Sequence, residues 1–163
     1  MANQINYTTS EVLKNFESGP QSGVFTDGGC QPNPGPGGWG FVYVKDNQII
    51  QQSYGYDPDT TNNRMELTAL IEAFKILPNQ EGITVYSDSD ICVKTVNEWA
   101  ASWEKRGWKR KTGPIKNLEL VQELYALAKS KPAVTLKWIK AHNGDRWNEY
   151  ADALSTAWTR DEV

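Results

Sequence analysis

Histidine occurs once in this 163-residue chain, at His142, and cysteine only twice, at Cys30 and Cys92. Neither the numbers nor the spacing suit a zinc site or a disulfide framework, so a reduced, disulfide-free chain is expected. No apolar run is long enough for a secretory signal or a membrane span, and residues 1–20 hold none, which predicts a soluble, cytoplasmic protein without a membrane partner. A basic excess is missing too. Seventeen Lys and Arg stand against 20 Asp and Glu, a net charge of −3, so the overall field does not draw the chain to nucleic acid. There is no internal repeat and no long linker, and 39% hydrophobic residues in a chain of this length supply one core. The expected organisation is a short N-terminal extension, residues 1–20, and one domain, residues 21–163.

What is present is a run of strands followed by alternation. Strands near 23–29, 38–45 and 48–56 read as a meander, with Asp46-Asn47 as a turn. A helix from about 62, a strand from Ile83 to Tyr86, helices near 89 and 115, a strand from Val134 to Ile139 and a helix from about 146 follow. This order predicts an α/β fold of the mixed α+β kind, a five-stranded mixed sheet flanked by helices. Thr8 through Phe16 reads as a short helix opened by a Thr8 and Glu11 capping box.

Among the acids, Asp27 ends the strand-like Gly23-Val24-Phe25-Thr26 and precedes Gly28-Gly29, which let backbone approach a ligand. Asp88 stands where Ile83-Thr84-Val85-Tyr86 gives way to a helix; a helix cap is the other reading of it. Glu66 opens a helix whose apolar stripe is Leu67, Leu70, Ile71, Phe74 and Leu77, and it flanks the core-facing side, where an unpaired charge is costly. A first-turn Glu is also an ordinary partner of the helix dipole. Asp152 reads from periodicity as a surface acid, on a polar face with Asn148, Glu149 and Ser155, while Trp147, Tyr150, Ala151, Leu154 and Trp158 turn inward. If the fold gathers these acids, their oxygens make a nest for hard divalent cations such as Mg²⁺ or Mn²⁺, and phosphoryl chemistry follows.

Charge is unevenly spread. Lys105, Arg106, Lys109, Arg110, Lys111 and Lys116 crowd twelve positions without an acid, with Trp103 and Trp108 interleaved, which reads either as a phosphate-binding surface or as a solvated face. Cys92, Val96, Trp99 and Trp103 form a heptad-like stripe, so Trp99 is expected in the core.

In order and spacing, Phe25-Thr26-Asp27-Gly28-Gly29-Cys30, Asn33 to Gly40, Thr60 to Leu67 (Thr-Thr-Asn-Asn-Arg-Met-Glu-Leu), Ser87-Asp88-Ser89 and Trp103 to Lys109 resemble the type 1 ribonuclease H family in its bacterial form. The resemblance runs from about Val24 to about Trp158. It implies a ribonuclease H-like fold, with residues 21–163 as the catalytic domain, and hydrolysis of the RNA strand of an RNA/DNA hybrid by a monomer using two Mg²⁺ ions, or Mn²⁺ in their place. Products would carry 3′-hydroxyl and 5′-phosphate ends. By the same resemblance Asp27, Glu66, Asp88 and Asp152 are the metal ligands, with Asp27 shared between the ions, and His142 is a proton carrier on a mobile loop. Gly28, Gly29, Cys30, Asn33, Asn62 and Asn63 would face the minor groove, where the 2′-hydroxyl marks RNA. Thr61 and Asn117 would form a DNA-phosphate pocket, and Trp103, Lys105, Arg106, Trp108 and Lys109 would belong to a basic handle that grips the DNA strand.

Three residues depart from the pattern. Asp90, two positions after Asp88, adds an acid that could repel phosphate or raise a neighbour's pKa, while Asp145 beside the His142 loop and Ala141, where a Gly is usual, bear on the motion of that loop. Two other readings stay open: a silent hybrid-binding module, against which four intact acids speak, and a DNA nuclease of the same broad fold.

Overall fold

The computed structural model describes residues 6–163. In chain order the elements are α1 (Thr9–Asn15), β1 (Gly23–Cys30), β2 (Gly35–Lys45), β3 (Gln48–Thr60), α2 (Asn62–Ile76), β4 (Thr84–Ser87), α3 (Asp90–Lys94), a π-helical turn (Thr95–Trp99), α4 (Ala100–Lys105), α5 (Leu118–Ser130), β5 (Thr135–Trp138), α6 (Arg146–Ser155) and a closing 3₁₀ turn (Ala157–Thr159). The five strands form one sheet in the order β3-β2-β1-β4-β5. β1, β2 and β3 are the expected antiparallel meander, while β4 and β5 run parallel to β1. Asp46 and Asn47 both have positive φ, 49° and 61°, the conformation that lets a tight hairpin follow the strand twist.

Side chains alternate across the strands, so each face of the sheet gathers its own core. Val24, Phe41 and Val85 face α2, α3 and α5, whereas Phe25, Val42 and Val44 face α1 and α6. Among the described residues no helix is long and apolar enough to cross a membrane.

Where the elements differ from the sequence reading, local chemistry explains the difference. β2 begins at Gly35 rather than 38, and β3 continues past 56 to Thr60 as an edge strand, where Pro58 is tolerated. The helix near 115 begins instead at Leu118, after Asn117 in a left-handed conformation. Trp99 is 39% exposed rather than in the core. The π turn places one extra residue in the helix just before it, which rotates the following side chains out of heptad phase and turns Ala100 inward in place of Trp99.

The N-terminal extension is built into the domain. Thr8 caps α1 through the reciprocal box with Glu11, and Val12 is fully buried among the residues of α6. Arg146 donates from Nε to the Phe16 carbonyl at 2.6 Å and from its backbone N–H to the Ser18 carbonyl at 2.9 Å, and the Thr9 N–H donates to the Val163 carbonyl at 2.9 Å. Val12→Ala should therefore cost about 1.5–3 kcal/mol and lower Tm by roughly 2–4 °C per kcal/mol. Thermal unfolding followed by circular dichroism checks this; an unchanged Tm would mean that α1 does not share the core.

Candidate active site

β1 and β4 lie side by side and parallel, and their pairing stops at Thr26 and Ser87, so the next residues, Asp27 and Asp88, stand at neighbouring positions; Asp27 does not end its strand, since β1 runs on to Cys30 paired with β2 alone. This is the carboxyl end of parallel strands, beside the point where the sheet changes from antiparallel to parallel pairing, a usual place for a crevice in such sheets. Asp88 is not a helix cap; Ser89 holds that position, its hydroxyl accepting from the Cys92 N–H. Trp138 of β5 donates from its indole to the Asp88 carbonyl at 3.2 Å and fixes the backbone there.

Glu66 arrives from α2. The helix is capped by Thr61 and starts at Asn62, so Glu66 is its fifth residue rather than a first-turn dipole partner. Gly28 lets the helix come close enough: a Cβ there would collide with the Met65 carbonyl and the Glu66 amide. Across that gap the Gly28 N–H donates to the Glu66 carboxylate and, at 2.9 Å, to Asp27 Oδ1.

Asp27, Glu66 and Asp88 each place a carboxylate oxygen within 4.8 Å of the others. Asp27 and Glu66 are each only 7% exposed. Burial, followed by the negative charge of Asp88, pushes both acids well above the usual carboxylate range, and burial also raises Asp88. Asp152 of α6 lines the same cleft, and its charge adds to the upward shift of both Asp27 and Asp88. Three of the four sequence-picked acids thus form one cluster, with the fourth on the cleft wall. An all-carboxylate donor set fits a hard divalent cation, and among the described residues no Lys, Arg or His is paired with the three.

The polar face expected for α6 is not turned to solvent: Asn148, Glu149 and Ser155 are buried, Ser155 against Gly38 of β2 and Glu149 against His142, and Asp152 alone of the four is partly exposed. Glu149 is 6% exposed, and its Oε1 lies 3.5 Å from Nδ1 of His142. His142 itself is exposed, at a positive φ of 50°, two residues before Gly144. Sequence periodicity alone could not have singled out Glu149; its signal is a tertiary contact with His142.

The cleft, about 400 Å³, is also lined by Gly28, Gly29, Cys30, Asn62 and His142. Asn62 Oδ1 accepts from the Cys30 N–H at 2.7 Å, and Asn33 Oδ1 accepts from the Asn62 N–H at 3.2 Å, which ties the β1 end, the following loop and the start of α2 together. A second cleft is lined by Asn33, Thr61, Asn62, Asn63, Lys116 and Asn117. Arg64, not picked out beforehand, joins its walls: its backbone N–H donates to Thr61 Oγ1 at 3.2 Å and its guanidinium to Asn117 Oδ1 at 3.2 Å. The arm beyond α4 turns at Gly107 and Trp108, both with positive φ, and exposes Lys105, Arg106, Lys109, Lys111 and Lys116. Trp103 and Trp108 are half-buried against the core, Trp108 edge-on to Tyr125, and thus anchor the arm. The extra acids are engaged elsewhere. Asp90 pairs with Lys94 at 3.0 Å, and Asp145 sits against Gly19.

An α+β domain with an acidic, cation-fitting cleft next to a basic arm is the class that this geometry defines. The family model for RNase H matches residues 20–159. A curated "Ribonuclease H" of Methylorubrum extorquens is 46% identical over 140 residues, covering 86% of this chain, which spans 60% of that relative's length. Another, from Polaromonas sp., is 45% identical over 134 residues, covering 81% of this chain and 84% of the relative. Among solved structures, LC9-RNase H1, described as a type 1 RNase H with the type 2 active-site motif, superposes with a TM-score of 0.70 at 33% identity over 90% of this chain and 77% of its own. The chain belongs to the ribonuclease H family.

The carboxylate cluster carries a stability signature. An acid whose pKa is raised by folding holds its proton more tightly in the native state, so that contribution is full below the unfolded value near 4 and is lost as pH rises toward the folded pKa. Asp27→Asn should therefore raise the Tm of the metal-free protein at pH 7, by about 1–4 kcal/mol in stability, and do so less at pH 4. Melting curves at both pH values in chelator test this, and a neutral-pH loss of stability would contradict the buried repulsion.

Proposed function

We propose that this chain hydrolyses the RNA strand of RNA/DNA hybrids and that Asp27, Glu66, Asp88 and Asp152 hold two divalent cations, Mg²⁺ or Mn²⁺, for the reaction. The observation that carries the reading is the cluster of three carboxylates, two of them buried, kept together although burial and the charge of Asp88 raise the cost of ionising Asp27 and Glu66. Such a cluster is costly without a cation and useful with one. When bound, the ions supply a water nucleophile at neutral pH and charge compensation at the leaving oxygen. Asp27, whose carboxyl feels the charges of Asp88, Glu66 and Asp152 together, would serve both ions, Glu66 and Asp88 one, and Asp152 the other. Products with 3′-hydroxyl and 5′-phosphate ends follow from attack on phosphorus with departure of the 3′ oxygen.

The chain's own groups divide the remaining work. Gly28, Gly29, Cys30 and Asn62 line the first cleft and Asn33, Asn62 and Asn63 the second, and their backbone and amide groups would meet the minor groove of a hybrid and its 2′-hydroxyls. Thr61, Asn117, Arg64 and Lys116 suit a phosphate of the DNA strand, and the exposed basic residues of the arm extend that surface. Glu149, taking the Nδ1 side of His142, leaves Nε2 free to carry a proton at the cleft.

Two measurements test this. Incubated with Mg²⁺, the protein should cut an end-labelled RNA/DNA hybrid and leave single-stranded RNA, duplex RNA and duplex DNA intact, and Asp27→Asn should lose about a thousandfold or more of that rate. Salt-sensitive binding without cutting would favour a silent binder, and cutting of duplex DNA would favour a DNA nuclease. Separately, Glu149→Gln should lower kcat and leave KM unchanged, by less than the roughly 100-fold expected for losing an acid–base group outright. A kcat equal to that of the parent would remove Glu149 from the reaction.

A further inference from the structure

The RNase H family model begins at residue 20 and ends at residue 159, so neither the segment before β1 nor the last four residues is accounted for by the family. Yet these two ends are bonded to each other, Thr9 N–H to the Val163 carbonyl, and both are fastened to α6. Arg160 donates to the carbonyls of Ala153 and Val163 at 2.6 and 3.1 Å and to the Thr156 hydroxyl at 2.7 Å. At the other end of α6, Arg146 holds Phe16 and Ser18. The segment therefore runs along the helix that carries Asp152 and Glu149, tied to it near both ends.

Its consequence for the site is at Asn6. This residue is exposed and lines the same cleft as Asp27, Asp88, Asp152 and His142. It stands two residues before the Thr8 cap, and the next residue, Tyr7, packs edge-on against Phe16 at 5.6 Å, so the backbone leading to Asn6 is fixed. An amide offers two N–H donors and no charge. In a cleft that also holds the carboxylates of Asp27, Asp88 and Asp152, a neutral donor can approach a phosphate or sugar oxygen without competing for the cations.

We propose that the N-terminal segment forms a wall of the substrate cleft and that Asn6 contacts the sugar-phosphate backbone of the bound hybrid. The proposal rests on the hybrid reading above. It extends that reading to residues outside the family match, and it makes Asn6 an affinity determinant rather than a catalytic residue.

The test measures hybrid affinity by fluorescence anisotropy in the cleavage-deficient Asp27→Asn background, and KM and kcat in the parent. Asn6→Ala should weaken binding and raise KM by about twofold to tenfold, the loss of one hydrogen bond, with kcat and Tm unchanged. Asn6→Asp, which places a negative charge against phosphate, should weaken binding further, most at low salt. Affinity and KM equal to the parent in both variants would overturn the proposal. Failure of the hybrid reading would show instead as a parent protein that does not cut hybrid at all, whatever happens at residue 6.

Discussion

Three carboxylates crowded at the end of a sheet repel one another, and burial strengthens the repulsion by removing the water that would screen it. Holding them together requires backbone that cannot yield, and the fold supplies it at three places. The parallel pairing of β1 and β4 sets Asp27 beside Asp88, the missing side chain of Gly28 admits α2, and the indole of Trp138 clamps the carbonyl of Asp88. Each is a constraint between elements distant in sequence. The large apolar cores on either face of the sheet keep those elements in register.

Much of this was legible from the chain alone because the relevant signals are local. A strand, an acid and two glycines in a row mark Asp27; a strand giving way to a helix marks Asp88; the meander and its Asp46-Asn47 turn are written in alternation and turn chemistry. Less legible was anything decided by packing between elements. Periodicity assigned Asp152, Asn148 and Glu149 to a polar face because nothing in α6 itself says that the sheet and the His142 loop will meet it. Heptad spacing placed Trp99 inside, since a π turn leaves no reliable mark in a sequence, and that single inserted residue exposes the ring. Asp152 was recovered only through the family pattern.

The electrostatic layout would let a negative chain take the polyanionic ligand proposed for it. The acids that matter are concentrated in one cleft, where cations can offset them, and several others are matched locally, Asp90 by Lys94, Glu104 by Lys129 and Glu119 by Arg64. The arm then presents Lys105, Arg106, Lys109, Lys111 and Lys116 with no acid among them, so its field is positive over a distance comparable to the Debye length although the net charge is −3. Its tryptophans support this division. Trp108, closing the turn after α4 against Tyr125, fixes where the cations stand, while the cations themselves stay hydrated.

The same reasoning gives the chain ends a purpose beyond stability. A helix bearing one cleft acid and the partner of the histidine must not slide relative to the sheet, because a shift of an ångström at Asp152 would separate it from Asp27. In α6 the sheet contacts fix one side, and Gly38 and Gly40 of β2 allow close approach there, since a Cβ at either would run into Ser155 or Leu154. The opposite side would be free to move without α1, Val12 and the bonds of Arg146 and Arg160. Covering that side leads the preceding residues to the cleft mouth, so the contact proposed for Asn6 would be a geometric consequence of bracing the helix. Brace and cleft wall are built from one segment.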